Sequence, residues 1–336
     1  MFSLGFLGGP QSFDPLVLLA IALGLEAGLA TLPGFARLAA VFPRLARRLV
    51  SALDGKLNRE RRSEMDRALR GAVVALGLAA AAAVVGWGIA WLGQNHHFGW
   101  IVELALLIAL IDQGRRYAAV RAVAAAFAAG NLEAARRSLD GLVGRDPGLM
   151  DEHGVARAAV ESAAEGFCTG VVAPAFWYAL FGFPGLAVSW AAAAMNETLG
   201  HRTPRYRAFG MAAARLNDIL VLIPARLAGL FLVIAAVIAP TAWPGRALSV
   251  MMRDAGHHRS AALGWPVAAM AGGLDVALGG PRQYAGLTTR DRWIGDGSAR
   301  LAGRDVRRSL YLYAVACLVN AGWVAALVLV RLGLSA

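Results

Sequence analysis

Ala72 to Leu92 is a run of 21 residues without a single charge or side-chain amide. As a helix rising 1.5 Å per residue it reaches about 30 Å, the depth of a bilayer's hydrocarbon core. This run restricts the fold more than any other feature, because it implies a chain organised around membrane-crossing helices. Trp87 and Trp91 near its far end suit the membrane–water boundary. Pro33 to Arg70, just before it, carries ten basic and four acidic residues, a bias that places this stretch in the cytoplasm. After the uncharged link Gly93 to Gly99, the apolar Trp100 to Ile111 leads back to Arg115, Arg116 and Arg121. Ala72 to Ile111 therefore reads as a hairpin with both ends cytoplasmic. His96 and His97 in the link have no third ligand nearby and read as a solvated turn.

The remaining segments follow the same logic. Leu16 to Leu32 is apolar with Glu26 inside it, and the spacing of Leu45, Leu49 and Leu53 predicts an amphipathic helix lying on the membrane surface. Ala118 to Asp140 reads as an Ala-rich helix interrupted at Gly130-Asn131 and lying outside the membrane. Asp151 is a suitable N-cap for a helix running to about Glu165. Val171 to Leu199 is broken by Pro174, Gly182 and Pro184-Gly185, which predicts two half-length helices or a re-entrant hairpin. His201 to Arg207 is a basic turn, Ala212 to Ala239 a long helix kinked at Pro224, and Leu310 to Leu332 a last span. With 58% hydrophobic residues, the expected fold is an all-α, polytopic integral membrane protein with four to six membrane-embedded helical segments, some re-entrant. It reads as a single membrane domain, 1–336, with a cytoplasmic basic amphipathic segment at 33–70 and a cytoplasmic Gly/Arg-rich loop at 241–309. Met1 to Pro15 carries only Asp14 as a charge and does not read as a secretory signal. Basic stretches flank the run before Thr241 on both sides, so that run is expected to dip and return; a simple crossing would put Arg226 at mid-bilayer.

Some chemistries are excluded directly. Cys168 and Cys317 lie in separate apolar settings and suggest neither a disulfide framework nor a thiolate metal site. Of 33 basic residues only Lys56 is a lysine, and SALDGKLN around it lacks the glycines of a Walker A loop. Phosphate handling would fall to Arg forks, backbone amides and metal.

The candidate site residues are charges set within or between apolar runs, where ionisable groups are costly unless they face a cavity or a partner. Arg157, Glu161 and Glu165 recur at i, i+4 and i+8 on one helix face, as a solvated pair or as working carboxylates. Arg215, Asp218, Leu222 and Arg226 stack along one side of the Ala212–Ala239 helix, and its three charged members, if buried, need mutual pairing or an anionic ligand. Arg145-Asp146 precedes a helix between Gly144 and Pro147. Arg253, Asp254, His258 and Ser260 form a further cluster. Gly279-Gly280-Pro281 with Tyr284, and the turn ending in Asp296, could offer backbone amides or a carboxylate to a phosphate.

Several ordered motifs resemble the CobD/CbiB family of cobalamin biosynthesis. They are LVGRD (Leu142 to Asp146), VESAAEG, VVAPAFW, RYRAFGMAAARLND, IPARL, MMRDAGHHRSAALGWPVAAMAGGLDVALGGPRQYAG and RWIGD (Arg292 to Asp296), covering roughly Leu139 to the C-terminus. The resemblance implies a multi-pass amide ligase of the bacterial inner membrane, adenosylcobinamide-phosphate synthase, with an Arg-rich site facing the cytoplasm. Such an enzyme joins a propionate of adenosylcobyric acid to aminopropanol or its phosphate, using ATP and Mg²⁺. The implied catalytic set is Glu161, Glu165, Asp218 and His258. The implied substrate-binding set is Arg145, Asp146, Arg215, Arg226, Arg253, Asp254, Ser260, Tyr284 and Asp296, with the metal ligands unknown. Corrinoid, amine and membrane lipid are the expected partners; no nucleic acid is expected, and self-association stays open.

The departures from the family pattern remove polar ligands. EGFCTG (Glu165 to Gly170) stands where the family has ENTVDG, so Gly166 and Thr169 replace an Asn and an Asp. AAMNET around Asn196 replaces NTLDSM, ARLND replaces ARxDD, and HRSAALGW replaces HPSPNAGW. The family's GDP-containing first segment is not recognisable near Glu26. These losses support an alternative function, a non-catalytic or regulatory membrane paralogue of AmpE type. A transporter is the third reading, disfavoured because no inverted repeat shows in the hydropathy.

Overall fold

Asp14 opens the first helix: its carboxylate accepts the Leu16 amide at 2.8 Å, and Pro15 at the first helical position has no amide to satisfy. The structure, a computed structural model, describes residues 13–30, 32–59, 61–143, 147–200, 204–284, 287–289 and 291–335, with backbone alone at 33, 36, 282–284, 287–289 and 335. In chain order the helices are α1 (Pro15–Leu29), α2 (Pro33–Ala39), α3 (Val41–Leu57), α4 (Glu64–Asn95), α5 (Gly99–Leu110), α6 (Gln113–Ala128) and α7 (Leu132–Leu139). Then come α8 (Glu152–Phe167), α9 (Ala173–Leu199), α10 (Met211–Ile238), α11 (Pro244–Asp254), α12 (Gly264–Leu274) and α13 (Gly303–Ser335). Four strands of two or three residues, β1 (Leu278–Gly279), β2 (Arg282–Tyr284), β3 (Leu287–Thr289) and β4 (Trp293–Ile294), pair antiparallel as β1–β4 and β2–β3. Among the described residues, four stretches are long and apolar enough to cross a membrane: α4, α8 with α9, α10 and α13. The protein is an all-α polytopic membrane protein.

The chain divides into two compact units. The first comprises Met1–Ile111, Ala173–Val221 and Trp323–Ala336. Its core packs Val50 of α3, Val74 and Ala75 of α4, Met195 and Leu199 of α9, and Phe209 and Ala213. Ser63 caps α4 through the Asp66 amide, and α4 and α5 form the expected hairpin, with His96 and His97 in its turn. A polar hub ties α3 to α4. Buried Asp54 accepts from Asn58 (2.7 Å) and Arg205 (2.8 Å), while Arg67 donates to the Asn58 side chain (2.8 Å) and to the Arg205 carbonyl. Tyr178 of α9 donates to buried Glu103 of α5 at 2.7 Å.

Val171 to Leu199 does hold a break, but a single one. Pro174 comes just after the π-turn at Cys168–Val172 and does not interrupt the helical run. The backbone departs from helix only at Gly182 (φ 64°, ψ −154°), a conformation open essentially to glycine alone.

The second unit comprises Asp112–Val172 and Leu222–Gly322. α6 and α7 are separated at Gly130-Asn131, as the sequence predicts, with Asn131 capping α7 through the Ala134 amide (2.9 Å). α8 starts at its Asp151 cap (Asp151 accepts Gly154 N–H at 2.7 Å), is buried along nearly its whole length, and leaves through a π-turn at Cys168–Val172. The 241–309 stretch differs from the expected loop. It folds into α11, α12 and the short strands, and every residue of α12 except Trp265 is buried. Its glycines and alanines, which look like loop composition in sequence, let α11 and α12 approach closely. A Cβ on Gly272 would meet the Arg246 carbonyl and the Val250 side chain.

Candidate functional site

The face of α8 carrying Arg157, Glu161 and Glu165 is where the second unit collects its polar groups. The 3.6-residue period puts the three on one stripe, and each meets a different part of the 241–309 segment. Arg157 donates to the Ala299 carbonyl at 2.7 Å and lies over the Trp293 ring at 5.6 Å. Glu161, 5% exposed, accepts the Gly279 amide at 2.7 Å. That amide is aimed by two consecutive left-handed glycines, Gly279 (φ 73°) and Gly280 (φ 70°). Glu161 is therefore a buried anchor rather than half of a solvated pair.

Glu165 is only partly exposed, and its Oε1 lies 3.2 Å from Nε2 of His258 and 4.0 Å from Arg259. The His258 side chain is almost fully buried, with Nδ1 engaged by the Ser260 backbone. Its Nε2 has no aligned hydrogen-bond partner among the described residues, so its capacity to bond there is open beside a carboxylate. Ser260 itself serves the turn, its hydroxyl accepting Leu263 N–H at 3.4 Å.

A second cluster joins Arg253, Asp254 and Asp296. Arg253 grips Asp254 through two bonds (2.7 and 2.8 Å) and reaches Asp296 at 2.7 Å, while the Gly295 amide donates to Asp254 at 2.8 Å. The Arg253 bonds, then the Gly295 amide, hold the buried Asp254 carboxyl below the usual aspartate range, against the upward push of burial. The same two carboxylates push the Arg253 guanidinium up. A carboxyl with a lowered native pKa stabilises the fold fully above its unfolded value, and that contribution is lost as pH falls through the native one. Thermal unfolding followed from pH 6 down to pH 2 is expected to show a loss at the acid end that is smaller in Asp254→Asn.

The structure also gathers residues that the sequence reading passed over as topology markers. Asp112 pairs with Arg115 (2.9 Å) and Arg116 (3.3 Å), and Arg116 reaches the Ser162 hydroxyl at 3.4 Å. The spacing 112/115/116 at the head of α6 was the available signal. Arg116 lies against Gly166, and any side chain there would run into its Nε, Cδ and Cγ. Gly166, where the resemblance expects Asn, is thus matched to this Arg. Thr169, where it expects Asp, turns its hydroxyl back to the Glu165 carbonyl at 3.1 Å.

Other predicted residues do not join these clusters. Arg215 and Arg226 were expected to require pairing if buried, but both are exposed. They share the outward stripe of α10 with Ile219, Leu222 and Leu230, so the helix turns them away from the core. Arg226 bonds the Leu222 carbonyl of its own helix at 2.7 Å and stacks over Trp265 at 4.8 Å. Arg215 and half-buried Asp218 lie on the part of α10 that belongs to the first unit. Pro224 sits within α10 without ending it. Arg145 and Asp146 lie outside the described residues; Tyr284 is placed by its backbone, paired with Leu287.

Among the described residues no group of three or more His, Cys, Asp or Glu side chains is set to hold a metal ion. Magnesium carried on a nucleotide asks for only one or two protein carboxylates. Here, though, Glu161 is bonded to Gly279, Glu165 faces His258, and Asp254 and Asp296 are bridged by Arg253. These four described carboxylates, as arranged, are not set to hold magnesium.

Known proteins match most of the chain in sequence. A family model described as CobD/Cbib protein matches residues 19–313. A protein of Sinorhizobium sp is 39% identical over 291 residues, covering 84% of this chain and 88% of its own length. One from Rhodobacter capsulatus is 41% identical over 251 residues (74% and 77%), and one from Brucella suis biovar 1 is 42% identical over 217 residues (64% and 66%). All three are named "Cobalamin biosynthesis protein CobD". No solved structure matches. With most of its length matched by the family model and by relatives near 40% identity, the chain belongs to the CobD/Cbib protein family.

Proposed function

We propose that this protein acts in cobalamin biosynthesis as a carbon–nitrogen ligase of the adenosylcobinamide-phosphate synthase type. It would join a propionate carboxylate of adenosylcobyric acid to aminopropanol or its phosphate, with ATP and Mg²⁺ as the resemblance implies. Family membership supports the pathway. The observation that carries the chemistry is the buried His258 Nε2, 3.2 Å from the partly exposed Glu165 and without an aligned hydrogen-bond partner among the described residues. ATP would supply the activation: transfer of its terminal phosphoryl group to the carboxylate releases ADP, and phosphate is then the group that leaves when the amine takes its place. The amine then attacks the acyl carbon and must shed a proton, which Glu165 accepts with His258 adjacent to share it. Arg259, exposed and near Glu165, offers positive charge to an anionic substrate group.

A second reading, a partner protein that keeps the fold without ligase activity, is favoured by the Arg116–Gly166 contact and by carboxylates that are already engaged. Purified protein in detergent, given adenosylcobyric acid, ATP, Mg²⁺ and aminopropanol phosphate, distinguishes the two by mass spectrometry. The amide product is expected. Its absence, beside an active family member run in parallel, would leave the partner reading.

A further inference from the structure

Helix α3 has three faces, and among the described residues only one of them packs onto the core. Val50 and Asp54, flanked by Leu53 and Leu57, turn inward onto the core shared with α4 and α9. About 120° round the helix, at about 100° per residue, Arg44, Arg47, Arg48 and Ser51 line an open hollow of about 370 Å³. Between these faces runs an apolar strip of Leu45 and Leu49, 62% and 50% exposed.

The charge on the outer face is not balanced locally. Asp54, the one acid on α3, is taken up on the inner side by Asn58 and Arg205. Arg44 is pinned by the Ala40 carbonyl (2.8 Å) and the Arg37 carbonyl (3.1 Å). Arg47 and Arg48 make no ion pair among the described residues. An arginine row beside an exposed leucine strip, on a helix packed against the bilayer-length α4 of the same unit, matches one environment. That environment is the boundary where headgroups meet acyl chains.

The geometry points to this face of α3 as a binding site for an anionic phospholipid of the surrounding bilayer. Arg47 and Arg48, beside the pinned Arg44, take the phosphate and its net negative charge through guanidinium forks. Leu45 and Leu49 lie along the upper acyl chain. A zwitterionic lipid offers the same phosphate but brings its own cation, so the site discriminates by net charge.

The test is native mass spectrometry of the delipidated full chain, titrated with dioleoylphosphatidylglycerol or dioleoylphosphatidylcholine. Each basic residue near an anionic membrane contributes roughly a fivefold preference, so phosphatidylglycerol is expected to bind at least about tenfold more tightly. The triple variant R44Q/R47Q/R48Q should bring the two lipids together, while R44K/R47K/R48K should keep most of the preference. Equal binding of both lipids to the wild type overturns the assignment, whatever the variants do. So does a preference that survives the glutamine triple, or displacement of phosphatidylglycerol by millimolar inorganic phosphate, which would mark a soluble-anion site.

Discussion

Glu165→Gln is expected to reduce amide formation by about 10²- to 10⁴-fold, the range that a positioned general base contributes. Gln keeps the shape and an acceptor beside His258 but cannot take the proton that the amine sheds as it attacks. The loss should therefore fall on kcat, with KM for the corrinoid little changed, as read by product mass spectrometry over a substrate series. Glu161→Gln is the internal control. Its amide oxygen can still accept the Gly279 N–H, so a structural anchor survives the change and activity should stay within severalfold of wild type. An equal loss in both variants would assign the α8 carboxylates to folding and sink the base role for Glu165.

Asp54→Ala should have the largest effect on stability. It removes the carboxylate that Asn58 and Arg205 share, and through Asn58 it strips Arg67, a nearly buried cation, of its link to a negative charge. Breaking a buried pair by deleting one partner costs several kcal/mol, but the Arg205 side chain is 43% exposed and can rehydrate, so about 2–3 kcal/mol is expected. Thermal inactivation in detergent is the suitable readout, because the unfolded state of such a protein aggregates faster than it refolds. Asp54→Asn, which keeps an oxygen for Asn58, should lose clearly less. Indistinguishable inactivation curves for Ala and wild type would remove the hub from any account of this unit's stability.

Most membrane helices were legible in the sequence because they depend on a local property, whereas the run before Thr241, expected to dip and return, is the single continuous helix α10. Ala72–Leu92 is apolar over a bilayer's length, and Asp151 and Gly130-Asn131 announce a helix start and a break by their own conformational preferences. The α8 stripe was legible too, since Arg157, Glu161 and Glu165 follow the helical period. What those side chains touch was not, because Ala299, Gly279 and His258 are brought to them by chain closure over more than 90 residues. The fold of 241–309 was missed for a related reason. Its small residues signal flexibility when read alone and close packing once a second helix is present, and composition does not distinguish the two. Arg215 and Arg226 show the converse limit: the sequence left their burial open, and only the register of α10 turns both outward.

The break at Gly182 has a genetic side. A side chain there would find almost nothing in its way, the nearest atom being Pro184 Cδ at 3.9 Å, so nothing steric protects the position. Its backbone geometry nonetheless costs any other residue about 1–3 kcal/mol. In a saturation library scored by growth or expression, position 182 should stand out as intolerant to every replacement, alanine included, although no partner is lost. Selection at this point would act on a torsion angle, and a census of contacts would pass over it.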